Sequence, residues 1–256
     1  KGKTVADLGS GTAITTIASA LLGADVVVCT DGCDPVVDLA RRNINDAISH
    51  LGSGTAGSEG ELIPTHVDNA NNKLAEKPIH SYCEFRGCRM IARKYRWGEG
   101  MSIEDIRLDT SDEDNSIASI VRKTKHFDII LGADCIVPKL YPIEPLVDAI
   151  DELSGDETIS YLSYEQRHYE NYDPAVEFLR LAATRDLEVE VVPDRELHHL
   201  YPANDIEIWK VTRSDRRRRC GTTDGNRVNR GMQTAVCLNG RSGRSNHRSL
   251  LVGSHS

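Results

Sequence analysis

Two glycines and three aspartates in this chain stand where turns and strand ends would gather them into one ligand site. Val5-Ala6-Asp7-Leu8 is an apolar, strand-like run that breaks into Gly9-Ser10-Gly11-Thr12-Ala13 and then into an amphipathic stretch. Glycines at 9 and 11 permit a sharp turn and a close backbone approach to a ligand, and the free amides where a helix begins polarise an anionic group placed there. A dinucleotide site would want a third glycine for tight helix packing. This chain has Ile14 at that position, which counts against a nicotinamide cofactor. Asp7, two residues before Gly9, suits a ligand with a cationic amino group better than one with phosphates. S-adenosylmethionine carries such an amino group and a carboxylate. A tight turn with no ligand is the plain alternative.

The next run, Val26-Val27-Val28-Cys29-Thr30, ends in Asp31-Gly32. An acid at that strand end can accept both hydroxyls of a ribose, as in dehydrogenases and methyltransferases alike. An Asp that merely caps the following helix is the other reading. A third strand, Phe127 to Leu131, leads through Gly132-Ala133 to Asp134. Its end would lie across the switch point from the glycine turn, in the crevice where open α/β sheets bind ligands. Asp134 is then placed to face the reacting end of a ligand, or else caps the helix that follows.

The elements that must carry these residues alternate between strand and helix. After the strand at residues 4–8 come a helix at about 12–22, a strand at 25–30 and a helix at about 35–49, a spacing that predicts parallel βαβ units. Residues 51–80 are rich in Gly, Ser, Asn and charge and read as a surface insertion, and the core pattern resumes at about 86. A second solvated insertion spans about 100–118, with a short helix running on to Lys125. Further on, periodicity predicts helices at 142–153 and 174–184, the latter opening on a proline, and a strand at 158–164. Residues 187–192 and 206–211 alternate apolar with polar, as half-buried antiparallel edge strands do. The expected fold is α/β: a doubly wound, mostly parallel sheet over residues 1–213 with an antiparallel C-terminal edge. Residues 214–256 lack a hydrophobic period and are expected to form a disordered basic tail. The chain opens directly into its first strand, as a fragment lacking its natural N-terminus would.

Composition narrows the class. Of 256 residues 39% are hydrophobic and 5% aromatic, lean enough to suggest that part of the chain stays out of the core. The tail carries nine arginines against two aspartates, +7, so the overall charge of −8 leaves residues 1–213 at −15. A body this acidic argues against nucleic acid as its partner. Seven cysteines, an odd number without tight pairing, read as reduced thiols in a cytosolic or nuclear protein. Cys29/Cys33 and Cys83/Cys88 lack zinc-ligand spacing, so no metal is expected. No apolar run is long enough to span a bilayer, and a soluble monomer is the expectation.

The run DLGSGTA, followed by VVVCTDG, RRNI, YRWGE and FDIILGADCIV, resembles the family 16 protein methyltransferases. These are seven-strand class I enzymes that methylate lysines, in one case arginine, on other proteins. The resemblance spans residues 3–213 apart from the insertions. Ala133-Asp134-Cys135-Ile136 and Tyr164-Glu165-Gln166-Arg167 are most similar to the branch that modifies valosin-containing protein. It implies S-adenosyl-L-methionine as cofactor, held among Asp7, Gly9, Gly11, Thr12, Asp31, Gly32, Trp97 and Ala133, with Trp97 packed on the adenine. It also implies a partner protein presenting a lysine, of the chaperone or AAA ATPase kind. An ordinary core tryptophan is the alternative for Trp97. Three positions depart from the family pattern: Ala13 replaces a glycine, Arg96 an aspartate, and Val137 the tyrosine of an Asp-x-x-Tyr motif.

Methyl transfer from a sulfonium is an in-line displacement in which the protein supplies alignment. Asp134 and Glu165 are the catalytic candidates, holding an incoming ammonium and orienting its lone pair once its proton has left. Tyr164 would line a lysine channel by cation–π contact, and Arg167 would sit at the substrate end. The plainer readings are a half-buried strand tyrosine and an Arg167 that only pairs with Glu165. A small-molecule methyltransferase and a degenerate, non-catalytic binding domain of the same fold are the rival functions.

Overall fold

The computed structural model describes residues 1–52, 82–98, 126–138, 140–167, 169–199 and 205–214. Nearly all of the two expected insertions, the helix to Lys125 and the tail lie outside these residues. The chain divides into two units, Lys1–Arg219 and Cys220–Ser256, and only the first contains described residues.

Strand β1 (Thr4–Leu8) leads through the glycine turn to helix α1 (Ile14–Leu21), then to β2 (Val26–Asp31) and α2 (Asp34–Gly52). A hairpin of β3 (Tyr82–Phe85) and β4 (Cys88–Lys94) follows, then β5 (Phe127–Ala133) and α3 (Ile143–Leu153). The chain continues through β6 (Ser154–Glu165), α4 (Pro174–Thr184), β7 (Leu187–Val191) and β8 (Ile206–Arg213). The eight strands form one sheet in the order β3-β4-β2-β1-β5-β6-β8-β7. Strands β4, β2, β1, β5 and β6 run parallel, while β3 and β8 are antiparallel to their neighbours β4 and β6. This is the Rossmann-like sheet expected of a class I methyltransferase, with the antiparallel C-terminal edge in place.

The strands are apolar because both faces are covered. On one face Val5, Val27, Cys29, Met90 and Ala92 pack with Ala20 of α1 and Val37, Ala40, Ile44 and Ile48 of α2. On the other, Ala6, Leu8, Val26, Val28, Ile91 and Ile130 pack with Leu146, Ile150 and Leu153 of α3 and Phe178 of α4. Adjacent strand residues fall into opposite clusters, as the two-residue period of a strand requires. Helix α4 begins where its sequence says it should: Asp173 accepts hydrogen bonds from the amides of Ala175 and Val176, and Pro174 takes the first turn.

Several boundaries differ from the sequence reading. Strand β2 reaches Asp31 because β4 pairs with it through Lys94, so the acid is the last strand residue and not the first loop residue. Helix α2 runs on to Gly52, and β6 starts at Ser154 immediately after α3, with a register shift against β5. Strand β3 was not foreseen. Its signal was the two-residue turn Arg86-Gly87, where both φ angles are positive (52° and 79°), as a tight hairpin demands. Among the described residues no helix is long and apolar enough to cross a membrane.

Candidate active site

Chain direction across the sheet reverses between β1 and β5, which pair in parallel from Val5/Ile129 to Leu8/Gly132. Their carboxyl ends open the crevice that this topology reserves for ligands. The glycine turn leaves β1 there, with Gly9 (φ 61°), Gly11 (54°) and Ala13 (63°) all in the left-handed region. The backbone is pinned on both sides: the Ser10 amide donates to the Thr30 carbonyl (2.9 Å) and the Ala13 amide to the Ser10 carbonyl (2.9 Å). Ser10 Oγ shares a hydrogen bond with Cys29 Sγ (2.8 Å), and Asn43 Nδ2 donates to the Thr12 carbonyl (3.0 Å). Ala13 adopts the same left-handed conformation, at a cost of about 1 kcal/mol.

A side chain at Gly9 would meet Cys135 Sγ at 3.1 Å and the Trp97 ring at 3.5 Å, whereas one at Gly11 would meet nothing within 4 Å. Gly9 is therefore the floor of the crevice and Gly11 faces its open space. Asp31 lies alongside, half-buried. Its carboxylate accepts from the Gly11 amide (3.4 Å) and the Cys33 amide (3.1 Å), which ties the ends of β1 and β2 together. Helix α2 takes its first hydrogen bonds on the Cys33 carbonyl, so Asp31 is not its cap. Gly32 approaches Arg96, with 3.4 Å between its would-be side chain and Cγ.

Trp97 is half-buried against the core beside Gly9. Its indole Nε1 is shielded from solvent with no hydrogen-bond partner among the described residues. Tyr141 leans on it, ring centroids 5.7 Å apart and tilted 59°. Sequence reasoning missed Tyr141. Burial and then the proximity of Asp31, Cys135 and Asp134 raise its phenol pKa. Val137 is buried, and its carbonyl accepts from the Tyr141 amide at 2.8 Å.

Strand β5 ends at the exposed Ala133, and the next residue, Asp134, adopts φ 56°. Helix α3 begins nine residues later with Pro142 at its cap position, so Asp134 caps nothing. Its amide accepts support from the strand alongside by donating to Ser163 Oγ (3.2 Å), a second residue that the sequence did not single out. Arg167 Nη2 lies 2.8 Å from Asp134 Oδ1 and 2.5 Å from Glu165 Oε2. These hydrogen bonds, first that of Glu165 and then that of Asp134, raise the guanidinium pKa further and keep it charged. Asp134 and the near neighbours Glu165 and Arg167, some thirty residues further along the chain, thus form one cluster at the ends of β5 and β6.

Two of the expected site residues lie deeper than the sequence reading put them. Tyr164, expected to line a lysine channel, is buried on the core side, its ring 4.6 Å from that of Trp209, because alternation along β6 turns it inward while Ser163 and Glu165 face the other way. Asp7 is 1% exposed and sits beneath the turn, where the hydroxyls of Thr15 and Thr16 both donate to its Oδ2 at 2.6 Å. Burial raises its pKa, and the two hydroxyls pull it back. These bonds brace the first turn of α1 against β1.

The thiols divide sharply. Burial pushes Cys29 up to about 11 and Cys88 and Cys135 up to about 12, while Cys33, next to Asp31, is exposed. Since the thiolate is the reactive form, iodoacetamide at pH 8 should modify Cys33 at least roughly 100-fold faster than these three. S-adenosylhomocysteine should slow it several-fold by covering the Asp31 side of the crevice. Peptide mass spectrometry over time reads both rates; an unchanged Cys33 rate with ligand would place the ligand elsewhere. Among the described residues no group of His, Cys, Asp and Glu is arranged to hold a metal ion.

Residues 1–53, from β1 through α2, match the family of ribosomal protein L11 methyltransferases (PrmA). The chain is also similar to solved structures. A ribosomal protein L11 methylase from Lactobacillus delbrueckii subsp. bulgaricus is 17% identical, with a TM-score of 0.43 over 84% of this chain and 71% of that one. A TehB-like SAM-dependent methyltransferase from Corynebacterium glutamicum is 14% identical, with a TM-score of 0.45 over 84% and 82%. A precorrin-6y C5,15-methyltransferase from Geobacter metallireducens is 12% identical, with a TM-score of 0.44 over 83% and 80%.

Proposed function

We propose that this chain is an S-adenosyl-L-methionine-dependent methyltransferase whose acceptor is a lysine on another protein, as in the family 16 branch its motifs resemble. The observation that carries the acceptor class is the cluster at the ends of β5 and β6, where Asp134 and Glu165 converge on a single cationic nitrogen beside the glycine turn. The family match over residues 1–53 supports the cofactor half, since that segment holds both the turn and Asp31.

The residues present fit the cofactor. Gly11 leaves the open space a ligand needs, Asp31 offers carboxylate oxygens at the strand end for two ribose hydroxyls, and the apolar wall of Trp97 and Tyr141 suits an adenine ring. When bound, the cofactor supplies a methyl group activated by a sulfonium and a neutral thioether as leaving group. The protein's own part is alignment. Asp134 and Glu165 hold the acceptor ammonium, release its proton to solvent and keep the freed lone pair in line with the methyl carbon. The −15 body favours a substrate that presents basic residues around its lysine.

The test is transfer of label from tritiated S-adenosylmethionine by the whole chain into a cell lysate, followed by acid hydrolysis. Label recovered as methyl-lysine supports the reading. Label found only in nuclease-sensitive or dialysable material would overturn the acceptor assignment and leave the cofactor assignment standing.

A further inference from the structure

The Arg167 contact has an unusual form. A guanidinium usually meets carboxylates with its fork, two nitrogens to two oxygens. Here one nitrogen, Nη2, serves both partners: Asp134 Oδ1 at 2.8 Å and Oδ2 at 3.0 Å, and Glu165 Oε2 at 2.5 Å. Oxygens from two strand ends thus surround a single point, an arrangement matched to the compact ammonium of a lysine, which brings three donors on one nitrogen. The arginine side chain is the most sheltered of the three, 29% exposed against 60% for Asp134 and 41% for Glu165, so the carboxylates keep open sides while their shared centre is filled. The backbone supports the placement. Asp134 is fixed by its left-handed φ and by its amide bond to Ser163, and Arg167 follows β6 just beyond Gln166, whose amide donates to the Asp205 carbonyl.

We infer that Arg167 is an internal stand-in for the substrate's ammonium, occupying the Asp134/Glu165 site in the absence of substrate and leaving it when a cationic acceptor enters. This rests on the acceptor reading above and deepens it: the site selects by charge exchange. A neutral or anionic acceptor gains nothing that compensates for an uncovered carboxylate pair, whereas an ammonium replaces the departing cation like for like. Arg167 is therefore a specificity-determining and positioning residue, and the reacting atoms are not its contacts.

Removing the stand-in should open the site to a free cation. The probe is n-butylammonium, titrated into the whole chain saturated with S-adenosylhomocysteine and followed by chemical-shift change at the Asp134 amide. Arg167→Met, which keeps the aliphatic stem, should bind it about 10-fold or more tighter than the unaltered protein, the gain expected when a competing internal cation is deleted. Arg167→Ala provides the same comparison should the methionine fill the space. The added change Asp134→Asn should abolish the gain, which a merely structural role for Arg167 would not predict. Equal n-butylammonium affinity with and without Arg167 would overturn the inference. S-adenosylhomocysteine titrations of the same variants separate the two questions: unchanged cofactor affinity with no gain for the amine condemns the exchange alone, and lost cofactor affinity throughout condemns the underlying site.

Discussion

Replacing Asp31 by alanine should cost S-adenosylhomocysteine roughly 100-fold in affinity, about 3 kcal/mol, the worth of two hydrogen bonds to a charged acceptor. Isothermal titration into the whole chain measures it. Asp31 also accepts from the Gly11 and Cys33 amides, so part of the loss will come from a looser turn. Asp31→Asn separates the two effects: it keeps the shape and one acceptor oxygen but loses the charge, and should fall between wild type and alanine. Thermal unfolding of the unliganded variants supplies the remaining control. One of the two amide contacts is long and the other exposed, so the midpoint should drop by only a few degrees, in keeping with about 1 kcal/mol in a domain of this size. Undiminished titration of Asp31→Ala would remove the ribose from this strand end and with it the orientation proposed for the cofactor.

The second large effect should come from the glycine turn, where two substitutions of identical chemistry part company. Gly9→Ala and Gly11→Ala both force a side chain into the left-handed region, at about 1–2 kcal/mol each. Only the alanine at 9 also runs into neighbours, 3.1 Å from Cys135 Sγ and 3.5 Å from Trp97, whereas the one at 11 projects into open space. Gly9→Ala should therefore unfold at the lower temperature of the two. Gly11→Ala should stay the more stable protein yet bind S-adenosylhomocysteine at least roughly 100-fold more weakly, because its methyl group takes the ligand's place. Differential scanning calorimetry with and without ligand shows both effects. Full ligand-induced stabilisation of Gly11→Ala would mean that the open space beside Gly11 is not the cofactor's.

Much of the candidate site is legible in the sequence because it hangs on local signals. A strand that breaks at Gly9 and Gly11 can only turn there, and strands apolar on both faces can only be interior to a covered sheet, so the ends of β1, β2 and β5 were fixed as neighbours by topology alone. Asp31 and Asp134 owe their positions to that logic. The same local chemistry gave α4, whose Asp173-Pro174 start is written in the sequence. What escaped was set by contacts distant along the chain. Tyr164 and Glu165 are adjacent, so alternation must send them to opposite faces, but it took the packing of β6 beside β8 to show that Tyr164 is the one buried against Trp209 and Glu165 the one beside Arg167. Tyr141 belongs to no motif and gained its place from the loop that folds it onto Trp97.

The sequence by itself determined the order of strands and helices, the turn that opens the crevice and the acids that end its strands, since each depends on backbone geometry or periodicity within a few residues. Only the tertiary structure decided which of those acids is buried and which stays accessible at the crevice. Asp7 spends its charge inward on Thr15 and Thr16, while Asp134 and Glu165 converge on Arg167. Burial and partner choice are properties of the whole packed sheet, and a carboxylate shows its role only once the groups that desolvate or neutralise it have been brought beside it.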